Sequence, residues 1–183
     1  QWLESHPEEW ESLIYYVVEC SDMFATCGGT ADRLSPLPMH VKIASQNDRL
    51  LLISWTKPAP LETFLLPPQG GVDWRIPQWL MDEFQKAQNY HLAPIEQRML
   101  KNSKNRKIRW LRVKYQSHND GQEYYDSNRL DASEPTFDQV FHDLWRVWFT
   151  PVPAIATEIE NQMELLRLVP GQYVSTHLRA LYG

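Results

Sequence analysis

The chain has 183 residues, of which 43% are hydrophobic and 22% are charged, so its composition is that of a soluble globular domain, and disorder is not the default expectation. Its formal net charge of −5 disfavours a general nucleic-acid binder, because contacts with phosphates need a positive field. Two cysteines are too few for a disulfide framework, and no His and Cys cluster has the spacing of a zinc site.

The two cysteines leave two alternatives open. A bridge between Cys20 and Cys27 would close a short loop if the protein resides in the secretory pathway. Two free, buried thiols are the other alternative. Sequence spacing alone does not decide between them.

The ends of the chain indicate a piece of a longer protein. The sequence begins with Gln1 rather than Met, and its first residues have no signal-peptide character. No stretch approaches the roughly 18 apolar residues that a membrane-spanning helix needs. We therefore expect one truncated domain over residues 1–183, without a membrane segment in this part of the protein.

Runs of β-branched, aromatic and aliphatic residues predict strands separated by longer connections. The predicted strands are Leu13–Cys20, Arg49–Trp55, Lys107–Tyr115 and Gln172–Leu181. The continuous apolar run of the second strand indicates a sheet that is covered on both faces. Lys57–Pro77, which is rich in proline and glycine, predicts an irregular connection with a short helical turn over Leu61–Leu66.

Helical periodicity predicts helices between these strands. The predicted helices are Pro38–Gln46, Pro77–Asn89, a helix with N-cap Thr136 that continues to Trp148, and one that starts near Pro153 and has Ile155, Ile159, Met163 and Leu166 on one face. The polar stretch Ser117–Glu134 is predicted to be a loop. Strands that alternate with helices indicate an α/β domain with a mainly parallel sheet flanked by helices.

Gly28 and Gly29 form a turn after the first predicted strand. Ligands of α/β sheets bind at the carboxyl ends of the strands, where glycine lets the backbone approach a ligand closely. A helix start after such a turn can also offer N–H groups to an anion. The glycine spacing is not that of the dinucleotide fingerprint, so a plain tight turn is the alternative.

His177 and Arg179 are two positions apart on the last predicted strand, so both side chains point to the same face. An arginine at the carboxyl end of a parallel strand lies where a phosphate would bind, and its planar fork can hold two phosphate oxygens. The alternative is that Arg179 pairs with a carboxylate and that His177 is a core residue.

One short segment, Lys101–Lys114, is strongly basic within the acidic chain. Trp110 and Tyr115 lie in or beside it. We interpret it as a basic loop followed by a strand with a solvated face. A nucleic-acid or polyanion interaction domain is the less favoured reading, since it would need more than one such run.

The order of these motifs resembles the O-fucosyltransferase-like family. The resemblance spans most of the chain, from about Ile14 to Tyr182. Its first motifs are a strand followed by Cys27-Gly-Gly-Thr-Ala-Asp-Arg-Leu34, then Arg49-Leu-Leu-Leu-Ile-Ser-Trp55 and Pro60-Leu-Glu-Thr-Phe-Leu-Leu-Pro-Pro68. Its later motifs are Leu144-Trp-Arg-Val-Trp-Phe-Thr-Pro151 and Tyr173-Val-Ser-Thr-His-Leu-Arg179, which are similar to the helix pair and the His-x-Arg strand of the family.

This resemblance implies a GT-B glycosyltransferase with two Rossmann-like domains, of which this chain would be the N-terminal one. It implies GDP-fucose as the donor substrate, held largely by the second domain, with no metal and no further cofactor, and a glycan or protein as acceptor. Arg179 matches the diphosphate contact and His177 its neighbour in the pocket. The Gly28–Gly29 turn, with Asp32 and Arg33, matches the loop near the sugar and the acceptor.

The resemblance further implies transfer of fucose with inversion or with retention, of which inversion is the expected outcome, and a parent protein in the Golgi or ER lumen. A catalytic base is not identified, and Asp32 is expected to cap its helix or to pair with Arg33. A non-catalytic sugar or sugar-nucleotide binding module of the same fold is the alternative function. The acidic net charge argues against a nucleic-acid partner.

Overall fold

The computed structural model describes residues 5–6, 8–22, 27, 29–87, 104–114 and 118–172. The chain divides into two compact units, Gln1–Thr150 and Pro151–Gly183. The first unit contains a three-stranded sheet, and the described part of the second contains one helix.

Strands and helices alternate along the first unit. The strands are β1 (Tyr15–Cys20), β2 (Leu50–Trp55), β3 (Leu65–Leu66), β4 (Trp110–Lys114) and β5 (Thr150–Pro151), the last at the boundary between the units. The α-helices are α1 (Thr30–Leu34), α2 (Leu37–Gln46), α3 (Met81–Lys86), α4 (His118–Ser127) and α5 (Phe137–Trp148). Short 3₁₀ helices cover Glu9–Ser12, Leu61–Thr63 and Gln78–Leu80.

A three-stranded parallel sheet with the order β2-β1-β4 forms the centre of the first unit. Tyr15 of β1 lies opposite Leu50 of β2 and opposite Trp110 of β4. The predicted strands at these positions are confirmed, and so is a Rossmann-like parallel sheet flanked by helices. The predicted strand Gln172–Leu181 lies outside the described residues except for Gln172.

Both faces of the sheet are covered, as the apolar run of β2 predicts. Alternate side chains of β1 enter two different cores, with Tyr16 and Val18 in one and Tyr15 and Val17 in the other. Residues of α2 and α5 pack in the first core, whereas Leu80 and Phe84 pack in the second. Helix α2, which connects β1 to β2, therefore covers one face, and α3, from the connection between β2 and β4, covers the other, as in a doubly wound arrangement.

The amino edge of the sheet is closed by a buried arginine. The guanidinium of Arg49 donates to the main-chain carbonyls of Tyr15 at 3.1 Å, Ile108 at 2.9 Å and Asn105 at 2.8 Å. Its neighbour in the sequence, Asp48, pairs with Arg106 across the same edge. Arg49 thus joins the segments that lead into all three strands.

The predicted loop Ser117–Glu134 is wrong, because α4 occupies His118–Ser127. Gly121 lets this helix approach α2 closely, since a Cβ at that position would lie 3.0 Å from Cβ of Pro36. A buried ion pair follows, in which Lys42 Nζ of α2 lies 2.6 Å from Glu134 Oε1 and 4.4 Å from the centre of the Tyr125 ring. Tertiary packing therefore stabilises a segment whose own residues favour a loop.

The helix with N-cap Thr136 is confirmed as α5, and Gln139 completes a capping box with Thr136. The predicted helix Pro77–Asn89 is shorter within the described residues, with a 3₁₀ turn over Gln78–Leu80 followed by α3. A short 3₁₀ turn is present at Leu61–Thr63, within the region where a helical turn was predicted.

The second unit contains helix α6, Pro153–Leu165, with proline in its first turn. The helix predicted after Pro153 is therefore confirmed. Ile155 and Ile159 of this helix are 38% and 47% exposed, and Leu166, which follows its last residue, is 61% exposed.

Candidate functional site

The carboxyl edge of the sheet contains a topological switch point. From the central strand β1 the chain first adds β2 on one side and later returns to add β4 on the other. In doubly wound sheets, ligands bind outside the carboxyl ends of the strands at such a point. The switch point lies between the carboxyl ends of β1 and β4, so the segment that follows β1 is one place where a site is expected.

A disulfide holds the segment that follows β1. Cys20, the last residue of the strand, is bridged to Cys27, and their Cα atoms are 5.8 Å apart. Cys20 also accepts a main-chain hydrogen bond from the Thr56 N–H at 2.9 Å, just after β2 ends. Of the two alternatives that the sequence leaves open, the structure has the bridge.

Arg33 ties this segment to the end of β2. Its Nε donates to the carbonyl of Cys27 at 2.9 Å, and its Nη1 donates to the carbonyl of Lys57 at 2.7 Å. The guanidinium also lies 5.1 Å from the ring centre of Trp55 and is 6% exposed. In this geometry Arg33 joins two loops of the edge rather than facing solvent.

Gly29 and Asp32 cap the short helix α1. The Gly29 N–H donates to Oδ2 of Asp32 at 3.0 Å, and both residues are exposed. A carboxylate in the first turn stabilises a helix through its dipole. Asp32 therefore already occupies the anion position at this helix start, as expected for a capping residue.

A buried ion pair joins Glu19, near the end of β1, to Arg112, in the middle of β4. Arg112 donates to both oxygens of Glu19, at 2.7 Å from Nε to Oε2 and 2.6 Å from Nη2 to Oε1. The side chains of Glu19 and Arg112 are 1% and 7% exposed, and the Phe84 ring lies 4.3 Å from the guanidinium carbon. The hydroxyl of Ser21 donates to Oε1 of Glu19 at 2.7 Å. Sequence reasoning missed this cluster, although charged residues inside otherwise apolar strands were a signal for it.

One buried donor at this edge has no hydrogen-bond partner. The indole N–H of Trp55, the last residue of β2, is inaccessible to solvent and unpaired. Native structures contain few such groups, and those that occur often mark sites where function sets the local geometry. The end of β2 therefore has a polar atom that the described fold does not satisfy.

Three of the six residues proposed from the sequence are within the described part of the structure. Gly29, Asp32 and Arg33 lie together at the turn after β1. Gly28, His177 and Arg179 lie outside the described residues.

The basic segment Lys101–Lys114 does not form a uniform charged surface in its described part. Arg112 is buried against Glu19, and Arg106 pairs with Asp48. Arg109 stacks 4.2 Å from the Trp10 ring centre and donates to the Trp10 carbonyl at 2.6 Å. These arginines hold elements of the fold together.

A surface groove of about 600 Å³ lies elsewhere, beside the first turns of α5, and the sequence did not predict it. It is lined by Ser133, Pro135, Asp138, Gln139, His142 and Asp143. Its two aspartates give it a negative character that opposes a phosphate group.

Within the described ranges, no group of three or more His, Cys, Asp or Glu side chains could hold a metal ion. Among the helices of those ranges, none is both long and apolar enough to cross a bilayer.

No protein-family model matches the chain, and no curated protein sequence matches it. Function therefore has to be inferred from the sheet topology, the residues at the carboxyl edge and the sequence motifs.

Proposed function

We propose that this chain is a Rossmann-like domain of a fucosyltransferase-like glycosyltransferase that transfers fucose from GDP-fucose to a glycan or protein acceptor. The main support is the location of the Cys27–Leu34 turn. This motif, on which the family resemblance rests, follows the strand that borders the switch point. Ligands of doubly wound sheets bind at that point.

The chemistry follows from the leaving group. When the bond between fucose and GDP breaks, negative charge develops on the β-phosphate. A fixed arginine fork stabilises that charge where it forms. In this proposal Arg179 provides the fork, and His177 lies beside it in the pocket. The acceptor hydroxyl forms its bond to the sugar carbon on the side opposite the leaving GDP, so that the configuration there is inverted, and its proton passes to the released diphosphate or to solvent.

The described residues of the turn would act as its support. The Cys20–Cys27 bridge and the Arg33 guanidinium fix the turn to the ends of β1 and β2. A preorganised loop loses little entropy when substrate binds. The bridge also supports residence in an oxidising compartment such as the ER or Golgi lumen.

A non-catalytic sugar or sugar-nucleotide binding module is the second candidate. Two residues of the turn favour it, because Asp32 is engaged by the Gly29 N–H and Arg33 by two carbonyls. Arg33 is therefore not available as a phosphate ligand in this geometry, and one oxygen of Asp32 is engaged in the helix cap. A protein that binds GDP-fucose but neither transfers nor hydrolyses it would establish this function instead.

Calorimetric titration of the full-length protein with GDP, UDP and GDP-fucose tests the proposal. We expect binding of GDP and GDP-fucose and much weaker binding of UDP. Arg179→Ala should reduce binding and transfer strongly, because loss of a charge-assisted phosphate contact costs roughly 2–4 kcal/mol. Arg146→Ala, at an exposed position of α5, is the matched control and should leave both unchanged. Unaltered turnover of Arg179→Ala with GDP-fucose would show that the site assignment is wrong.

A further inference from the structure

Ser21 is the accessible end of a buried polar chain at the switch point. Arg112 and Glu19 form its inner part, and both are nearly inaccessible to solvent. Ser21 follows the last residue of β1 and is partly exposed. A ligand outside the carboxyl edge can therefore contact the serine hydroxyl but not the ion pair beneath it.

The buried polar chain of Arg112, Glu19 and Ser21 fixes the direction in which the Ser21 hydroxyl donates. Glu19 is a carboxylate held by both branches of the Arg112 guanidinium, and a carboxylate only accepts hydrogen bonds. Ser21 therefore has to donate its proton to Oε1 of Glu19, across 2.7 Å. The lone pairs of the serine oxygen remain as acceptors for a group outside the strand.

Packing alone does not account for this arrangement. Two charges removed from water are seldom more stabilising than apolar side chains of the same volume. Phe84, Trp110 and Val17 surround this face of the sheet with apolar groups that could fill such a position. The ion pair instead orients one hydroxyl at the edge where ligands of this fold bind.

We propose that Ser21 is a binding residue that accepts a hydrogen bond from a hydroxyl of the transferred sugar. This inference rests on the proposed function. A sugar ring carries several O–H donors, whereas a diphosphate carries acceptor oxygens only. The ribose hydroxyls and guanine N–H groups of GDP also donate, and the comparison of GDP with GDP-fucose below separates them from the sugar. The chemistry of an oriented acceptor therefore fits the sugar end of a sugar nucleotide.

The experiment compares GDP and GDP-fucose binding by calorimetry in the full-length protein. Ser21→Ala should weaken GDP-fucose binding about five- to tenfold, the effect of one lost hydrogen bond, and should leave GDP binding unchanged. Ser21→Thr keeps the hydroxyl and should bind GDP-fucose within about twofold of the wild type. Ser12→Ala is the matched control, because Ser12 is an exposed serine just before β1 whose hydroxyl donates to the Glu9 carbonyl at 2.8 Å.

Donor analogues that lack one sugar hydroxyl at a time identify the contact. For one deoxy analogue, the affinity of the wild-type protein should be as low as the affinity of Ser21→Ala for GDP-fucose. The affinity of Ser21→Ala for that analogue should be no lower still, because both changes remove the same hydrogen bond. Equal weakening of GDP and GDP-fucose by Ser21→Ala would overturn the assignment to the sugar. Wild-type affinity for GDP-fucose in that variant would overturn the role of Ser21 while the proposed function stands. Failure of the wild-type protein to bind either ligand would overturn both.

Discussion

The indole N–H of Trp74 donates to the main-chain carbonyl of Trp148 at 2.7 Å, although 74 positions separate the two residues. Trp74 is fully buried, and its ring lies against Phe149. Nearby, the Val72 N–H donates to the carbonyl of Val147 at 2.9 Å. These two hydrogen bonds thus connect the irregular segment after β3 to the end of α5.

Trp74→Phe should lower the free energy of unfolding by about 1–3 kcal/mol, because it leaves the Trp148 carbonyl buried without its donor. Urea denaturation followed by circular dichroism measures the change. Trp79→Phe is the control, since Trp79 is 42% exposed, and it should stay within about 0.5 kcal/mol of the wild type. Equal stability of the two variants would contradict a structural role for the Trp74 hydrogen bond.

Acid should destabilise the fold through His40. Its ring is fully buried, its Nδ1 lies 2.9 Å from the Tyr16 hydroxyl, and its Nε2 has no hydrogen-bond partner. Burial lowers the pKa of His40 from 6.5 to about 3. The unfolded chain takes up a proton below its pKa of 6.5, whereas the folded chain does not until about pH 3. This contribution to stability is complete above pH 6.5 and is lost as the pH falls towards 3.

Urea denaturation between pH 7 and pH 4 measures this dependence, which should reach several kcal/mol at the acid end because one pKa unit corresponds to about 1.4 kcal/mol. His40→Phe should flatten the pH dependence, whatever its stability at pH 7. His142→Gln, at an exposed position of α5, should keep the wild-type slope. An unchanged slope in His40→Phe would refute the assignment.

Replacement of both cysteines by alanine should lower stability by about 2–3 kcal/mol, because the bridge closes a loop with a sequence separation of 7 residues and restricts the unfolded chain. Guanidinium denaturation of the oxidised protein and the double variant gives the difference. The reduced wild-type protein should match the variant. Titration of the unfolded, non-reduced protein with a thiol reagent should find no free thiol, and two free thiols per chain would disprove the bridge.

Replacement of one partner of the buried Glu19–Arg112 ion pair should lower the free energy of unfolding more than replacement of both partners. Arg112→Met leaves Glu19 buried without its partner and should cost about 3–5 kcal/mol. Adding Glu19→Met should recover most of that loss, since an apolar pair of similar volume fits the same surroundings. Arg106→Met is the control, because Arg106 pairs with Asp48 at the surface, where an ion pair is worth roughly 0–1 kcal/mol. A double variant no more stable than Arg112→Met would contradict this account.

Strands β1 and β2 could be predicted because they are largely continuous runs of apolar residues, the pattern of a buried parallel strand. Strand β4 could be predicted from its aromatic and β-branched residues, although Arg112 and Lys114 alternate with them. Helix α4 could not, since its residues are polar and include Gly121, and its stability comes from packing against α2. The spacing of Gly121, Tyr124 and Tyr125 was the one helical signal in that segment.

At the candidate site, sequence indicated the turn but not its internal contacts. Gly29, Asp32 and Arg33 are adjacent in the chain, so their proximity at the turn was foreseeable. The carbonyls to which Arg33 donates belong to residues 27 and 57. Glu19 and Arg112, which form the buried ion pair, are 93 positions apart in the sequence. Such pairings depend on strand order and register, which hydrophobic patterns do not encode.

The order β2-β1-β4 also determines when the central strand is complete during synthesis. β1 can pair with β2 once residue 55 has been made, but its other edge stays unpaired until residue 114 follows. An open strand edge flanked by apolar side chains is a template for aggregation. A nascent or truncated chain that ends before Trp110 would therefore present Tyr15–Cys20 to neighbouring chains, and a chaperone that shields this edge would raise the yield of the folded protein.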